Sequence, residues 1–234
     1  MISDWLSFWD QPNSIYVNAR HKDVHYRLIA RDMAREIAAA AAPRPCVLDY
    51  GSGEALHAEV VAAACGELLL CDGAPSIRAG VAGRFAGNPK IRALTPQDVE
   101  ELPDRCLDFI VLHSVAQYLP PAQLGALLAL FRRLLRAGGT LLVSDVIPPQ
   151  VAASSSAAAL LRFGAGNGFL LAALAGLART VFSAYWRLRV RLGITRYSEA
   201  AMTECLAAAG FCAKRAAKNI GHDQTRMAFI ARLR

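Results

Sequence analysis

Val47-Leu48-Asp49-Tyr50-Gly51-Ser52-Gly53-Glu54-Ala55 is an apolar run that ends in an acid and passes through two glycines into a helical stretch. Glycines at such a turn let the backbone approach a ligand closely, and the start of the following helix offers N–H groups. A nucleotide-type cofactor is the natural guest. The spacing tests which one: a G-x-G-x-x-G dinucleotide fingerprint starting at Gly51 needs glycine at position 56, where Leu56 stands.

Outward from this turn, short apolar runs alternate with helical stretches, the pattern of an open, mostly parallel sheet. Strands are predicted at Cys46–Tyr50, Glu67–Cys71, Ile91–Ala93, Phe109–Leu112 and Thr140–Ser144. The last two lie near Cys212–Ala217 and Arg226–Arg232. Helices are predicted at Ala55–Ala64, Ser76–Phe85, Pro121–Leu135 and Ser198–Ala209, with an earlier one over 22–41 that Pro43 and Pro45 stop. The organisation expected is one domain in four parts. Residues 1–42 form an N-terminal helical lid, 43–147 the cofactor-binding core, 148–196 a helical insertion after the fifth strand, and 197–234 the last helix and strands of the core.

The chain has 234 residues, 54% apolar and 19% charged, which excludes disorder and a disulfide-stapled miniprotein. Its net charge of +7 is uneven: residues 1–150 carry −2 and residues 151–234 carry +9. The six cysteines form no C-x-x-C pair, so no metal site is expected, and buried free thiols in a reducing cytoplasm are the simple reading. Met1 to Asp10 carries no basic residue ahead of an apolar core and does not read as a secretory signal. The uncharged stretch between Arg162 and Arg179 is diluted by Gly164, Gly166, Asn167 and Gly168 and falls short of a membrane span.

Further motifs follow in order: Asp72 closing Leu68-Leu69-Leu70-Cys71, then Asp98-Val99, then His113-Ser114-Val115-Ala116-Gln117-Tyr118, then Gly138-Gly139 before an apolar strand ending at Ser144-Asp145. Together with Asp49-x-Gly51-x-Gly53 this series resembles the class I S-adenosylmethionine (SAM) dependent methyltransferases. The fourth-strand segment is close to the N-S-V-x-Q-Y pattern of small-molecule and peptide-synthetase methyltransferase domains, with His113 in place of Asn. Ala55 stands where the first motif often has a third glycine.

The resemblance implies a Rossmann-like seven-stranded α/β fold with helices on both faces, and SAM as cofactor. It assigns Asp49, Gly51, Ser52 and Gly53 to the cofactor turn, Asp72 and Gly73 to the ribose, and Asp98 and Val99 to the adenine. His113 and Ser114 would stand near the methionine, and Tyr16 and Arg20 in the lid would meet its carboxylate. His21, His25 and His113 are candidate bases, with His113 and His21 as the catalytic assignments. Their unperturbed pKa suits proton transfer near neutrality.

Acceptor choice is expected from Tyr118, Asp145 and the 148–196 insertion. The insertion is apolar from Phe169 to Ala178, aromatic at Phe182, Tyr185 and Trp186, and basic at Arg179, Arg187, Arg189, Arg191 and Arg196. That combination suits a small or lipid-like acceptor, methylated at O, N or C. It also suits peripheral contact of the 169–196 segment with an anionic membrane, on the cytoplasmic side. Nucleic acid is disfavoured, because the D/N-P-P-Y/F run of nucleobase methyltransferases is absent where His113-Ser114-Val115-Ala116 stands. An RNA methyltransferase and a non-catalytic SAM-binding protein are the alternatives.

Overall fold

In the computed structural model, the described residues are 2–11, 15–40, 43–180 and 184–234. Phe182, and Ala41 and Ala42 in the expected first helix, lie outside them. Seven strands form one sheet: β1 Cys46–Tyr50, β2 Glu67–Cys71, β3 Ile91–Leu94, β4 Leu107–His113, β5 Leu135–Val146, β6 Phe211–Arg215 and β7 Met227–Leu233. Their order is β3-β2-β1-β4-β5-β7-β6, parallel except for β7, which runs antiparallel to both neighbours. The order reverses between β1 and β4, and ligands of open α/β sheets gather at the strand C-termini there.

Alternation along the strands fills two cores. Leu48, Leu69, Ile110, Leu112, Leu141 and Val143 face α6 (Pro121–Leu134) and α10 (Glu199–Ala208), meeting Leu124, Leu128, Phe131, Met202 and Leu206. Val47, Leu68, Leu70, Phe109, Val111 and Leu142 face the other way. They meet Ile29, Met33 and Ile37 of α2 (Ala19–Ala40), Val61 of α3 (Ala58–Ala63) and Val81 of α4 (Pro75–Arg84).

Several elements differ from the sequence reading. The aromatic start is a helix, α1 (Ile2–Trp9), because Trp5, Phe8 and Trp9 pack on Tyr118 and Tyr185. The second helix starts at Ala19, where Asn18 Oδ1 accepts the His21 N–H at 2.8 Å as an N-cap. A short helix not foreseen, α5 (Pro96–Glu100), is closed by a Thr95–Asp98 capping box. β5 begins at Leu135, ahead of the glycine pair, where Leu135 pairs with Leu107. Only Cys65 and Cys71 are buried, while Cys46, Cys106 and Cys205 are half-buried and Cys212 is exposed, against the expectation that all the thiols are buried.

After β5, three helices occupy the insertion: α7 (Ala153–Asn167), α8 (Leu170–Thr180) and α9 (Ala184–Leu192). Gly168, at φ +75°, turns the chain between α7 and α8. Among the described residues no helix is long and apolar enough to cross a membrane.

Candidate active site

The glycine turn departs from β1 with Gly51 at φ +82°, Gly53 at +57° and Ala55 at +45°. Ala55 therefore keeps the left-handed backbone that glycine adopts freely, at a strain of roughly 1–2 kcal/mol. The following helix α3 starts only at Ala58, three residues later than the periodicity suggested. A Cβ on Gly51 would lie 2.3 Å from Val115 Cγ2, and one on Gly53 would lie 2.9 Å from the Tyr26 hydroxyl.

The N–H groups of residues 51–54 are used by the protein. Gly51 and Ser52 donate to Cys71 O at 2.7 and 3.0 Å, Gly53 to Asp72 Oδ2 at 3.0 Å, and Glu54 to the Tyr26 hydroxyl at 3.2 Å. A phosphate cradle needs such donors turned outward. Their inward use agrees with the missing third glycine of the dinucleotide pattern.

Two carboxylates stand beside the turn. Asp72, at the end of β2, accepts the N–H groups of Gly53 and Ala74. Burial raises its pKa, and those backbone donors pull it back. Asp49 is buried with its Oδ1 lacking any partner, and burial together with the Asp72 charge pushes its pKa up to about 7. Asp49, Gly51, Ser52, Tyr26, His57 and His113 line one cavity of about 50 Å³ under the turn. An orphaned, buried carboxylate oxygen at a glycine turn matches the ammonium end of an amino-acid-bearing cofactor. The residues present thus fit SAM.

The remaining cofactor candidates are spread more widely. Gly73 lies under α1, where its added Cβ would meet Leu6 Cδ2 at 2.4 Å, and Asp10 Oδ1 accepts the Ser76 N–H at 2.7 Å. Asp98 is at the surface, its Oδ2 accepting from Thr95 N–H and Oγ1, while Val99 is wholly inside the core. Arg20 points toward the α7–α8 turn, donating through Nε to Asn167 O beside Gly168.

Beyond the turn, the ends of β4 and β5 meet in a polar knot. Ser114 and Asp145 both adopt left-handed backbone, at φ +60° and +61°, and Ser114 Oγ donates to Asp145 Oδ2 at 2.7 Å. Gln117 Nε2 donates to Ser114 Oγ, and His113 Nδ1 lies 2.9 Å from Ser144 Oγ. Asn219, from the β6–β7 loop, accepts the Asp145 N–H at 2.9 Å. Two neighbouring non-glycine residues in this conformation store strain where chemistry is expected.

Over this knot sits a cluster of rings. His21 stacks on Phe169 with centroids 4.9 Å apart, His222 stacks on Phe163 at 4.4 Å, and His25 lies 5.5 Å from His222. Tyr16 joins the cluster through His21 and His25. Burial lowers the pKa of every one of these histidines, that of His21 to about 4, and it lowers His113 as well, against the charges of Asp145 and Asp32. All are neutral at pH 7. His21 Nδ1 already accepts the Val17 N–H at 3.3 Å, whereas His222 Nδ1 is buried without a partner.

Tyr118, Tyr185 and Trp186 belong elsewhere. Tyr118 packs 4.6 Å from Trp5 and its hydroxyl lies 3.5 Å from that of Tyr185. Trp5 and Tyr118 border a second cavity of about 250 Å³, walled further by Gln117 and by Leu192 to Thr195. Trp186 has the Arg189 guanidinium 6.0 Å over its ring. The expected acceptor residues are thus divided between two aromatic groups. Sequence reasoning missed Trp5, Val115, Phe163, Asn219 and His222; the last two come from a loop with no motif of its own.

Residues 48–143 match the protein family described as a methyltransferase domain. No curated protein matches the chain. Among solved structures, a protein described as a possible exported protein from Bordetella parapertussis is similar at 20% identity and TM-score 0.60, over 90% of this chain and 68% of that one. Magnesium protoporphyrin IX methyltransferase from Synechocystis, with bound S-adenosylhomocysteine (SAH), gives 16% identity and TM-score 0.60 over 100% and 94%. Human N-acetylserotonin methyltransferase in complex with SAM gives 16% and 0.56 over 86% and 51%. Residues 48–143 thus match a methyltransferase domain, and the chain has the fold of the SAM-dependent methyltransferases to which it is similar.

Proposed function

We propose that this protein transfers the methyl group of SAM to a small, lipophilic acceptor that enters over the ends of β4 and β5, beneath α7 and α8. When bound, SAM supplies an electrophilic methyl on a sulfonium centre, and the protein's task is alignment and exclusion of water. The observation that carries the reading is the glycine turn with the orphaned Asp49 Oδ1 and the neighbouring Asp72.

On this reading Asp49 holds the amino group, Asp72 the ribose, and Asp98 stands at the adenine end, with Val99 anchoring that helix in the core. Arg20 and Tyr16 close the N-terminal side. His113, neutral and fixed by Ser144, faces the same cavity as Asp49 and can accept a proton from an acceptor that must lose one. The apolar, ring-lined surroundings of Phe163 and Phe169 favour a lipophilic acceptor over a strongly hydrated one. The protein would work in the cytoplasm.

Incubation with radiolabelled SAM and a host extract, then separation into lipid, small-molecule, RNA and protein fractions, tests the reading. Label in the lipid or small-molecule fraction is expected. Label in RNA would favour the basic third as a phosphate-binding surface instead, and retained SAM affinity without any labelled product would make the protein a SAM carrier.

A further inference from the structure

Helix α8 reverses the usual arrangement of a surface helix. At about 100° per residue, Leu170, Leu174, Ala178, Leu171, Ala175 and Arg179 follow one another around half of its circumference, and all six are exposed. Leu171 is 81% exposed, Leu174 49% and Leu170 38%. The inner half is accounted for: Ala173 is fully buried and Gly176 lies against Val17. A surface helix ordinarily turns polar residues outward. Here the outward arc carries five apolar residues and one arginine.

Along the insertion itself the charge has a single sign. From Val146 to Ser198 the chain has six arginines, at 162, 179, 187, 189, 191 and 196, and not one Asp or Glu. On α9 the exposed positions are Arg187, Val190 and Arg191, with Val190 68% exposed. Such a field attracts an extended anionic surface, and the leucines give it something to bury. A second protein copy carrying the same arginines would repel this segment, so self-association is the poorer match.

We propose that α8 and α9 form a docking surface for an anionic phospholipid bilayer. Leu171 and Leu174 enter the headgroup–acyl boundary and the arginines engage phosphates. The binding is peripheral and does not depend on the methyl-transfer reading.

Flotation of the full-length protein with vesicles of mixed phosphatidylglycerol and phosphatidylcholine, against phosphatidylcholine alone, tests it. The wild type is expected to float only with the anionic vesicles and to be released by high salt. The pair Leu171→Asp and Leu174→Asp is expected to abolish flotation with an unchanged melting temperature, since both side chains are solvent-facing. Arg187→Gln, Arg189→Gln and Arg191→Gln together are expected to weaken binding roughly ten- to a hundredfold. A wild type that stays behind with anionic vesicles overturns the proposal, as does a leucine-pair variant that still floats. A dimer in light scattering that the leucine changes split, with no vesicle binding, would assign the face to a second copy and equally overturn it.

Discussion

The sheet and the insertion solve the same problem in opposite ways. In the sheet, alternate side chains vanish into one or other of two cores, so that Leu48, Ile110 and Leu112 are wholly buried and the sequence alternation reads directly as structure. In α8 only the inner arc is covered, Ala173 by Gly164 and Gly176 by Val17, and apolar side chains fill the outer arc. An apolar residue in the first region reports on folding. In the second it reports on a surface.

The cofactor half should be broken most sharply at Asp72. Asp72→Ala removes the acceptor for Gly53 and Ala74 N–H groups as well as the proposed ribose contact, and is expected to weaken SAM binding roughly a hundred- to a thousandfold by calorimetry with a folded protein. Unchanged affinity would separate the turn from the cofactor. On the insertion side, Phe169→Ala removes a buried ring from His21 and should destabilise by about 3–4 kcal/mol in chemical denaturation. Gly51→Ala brings a Cβ to within 2.3 Å of Val115 and forces an alanine to φ +82°, at a cost of about 3 kcal/mol.

Acid titration sets the two regions against each other. Asp49 has a raised pKa of about 7, so its contribution is favourable below its unfolded value near 4 and is lost as pH rises toward 7. His21 has a lowered pKa of about 4, so its contribution is present above 6.5 and is lost as pH falls toward 4. Melting curves across pH 4 to 7 should therefore show Asp49→Asn gaining on the wild type as pH rises, by about 3 kcal/mol. His21→Gln should lose less than the wild type on acidification. Parallel curves for all three proteins would sink both assignments. The smallest effect belongs to the outer arc of α8, where Leu171→Gln should change stability by no more than about 0.5 kcal/mol.

Most of the fold is legible because the chemistry is local. β1 and β2 match their predicted residues, since five apolar or half-buried positions bounded by proline or glycine leave little choice. α1 was invisible because its reason to exist is the distant pair Tyr118 and Tyr185, and α3 starts late because Ala55 keeps a left-handed backbone. The same division runs through the site. Asp49, Gly51, Gly53 and Asp72 lie within one strand–turn–helix–strand unit and can be read from spacing. Arg20 reads as a cofactor contact by its position, yet here it holds the Asn167 carbonyl, 147 residues away in sequence. His222 and Asn219 carry no signature because only the folded β6–β7 loop brings them to His25 and Asp145.

That loop has a consequence for how the molecule comes into being. Gly221 N–H is held by Asp32 of α2 at 2.9 Å, and Asn219 by its contact with Asp145, so the far end of the chain closes what residues 16–32 began. The cofactor turn and the strands on either side of it, β1 and β2, have been made by residue 71. The ring cluster over β4 and β5 is not complete until residue 222 has arrived. A growing chain leaving the ribosome therefore carries the glycine turn long before it has the ring cluster.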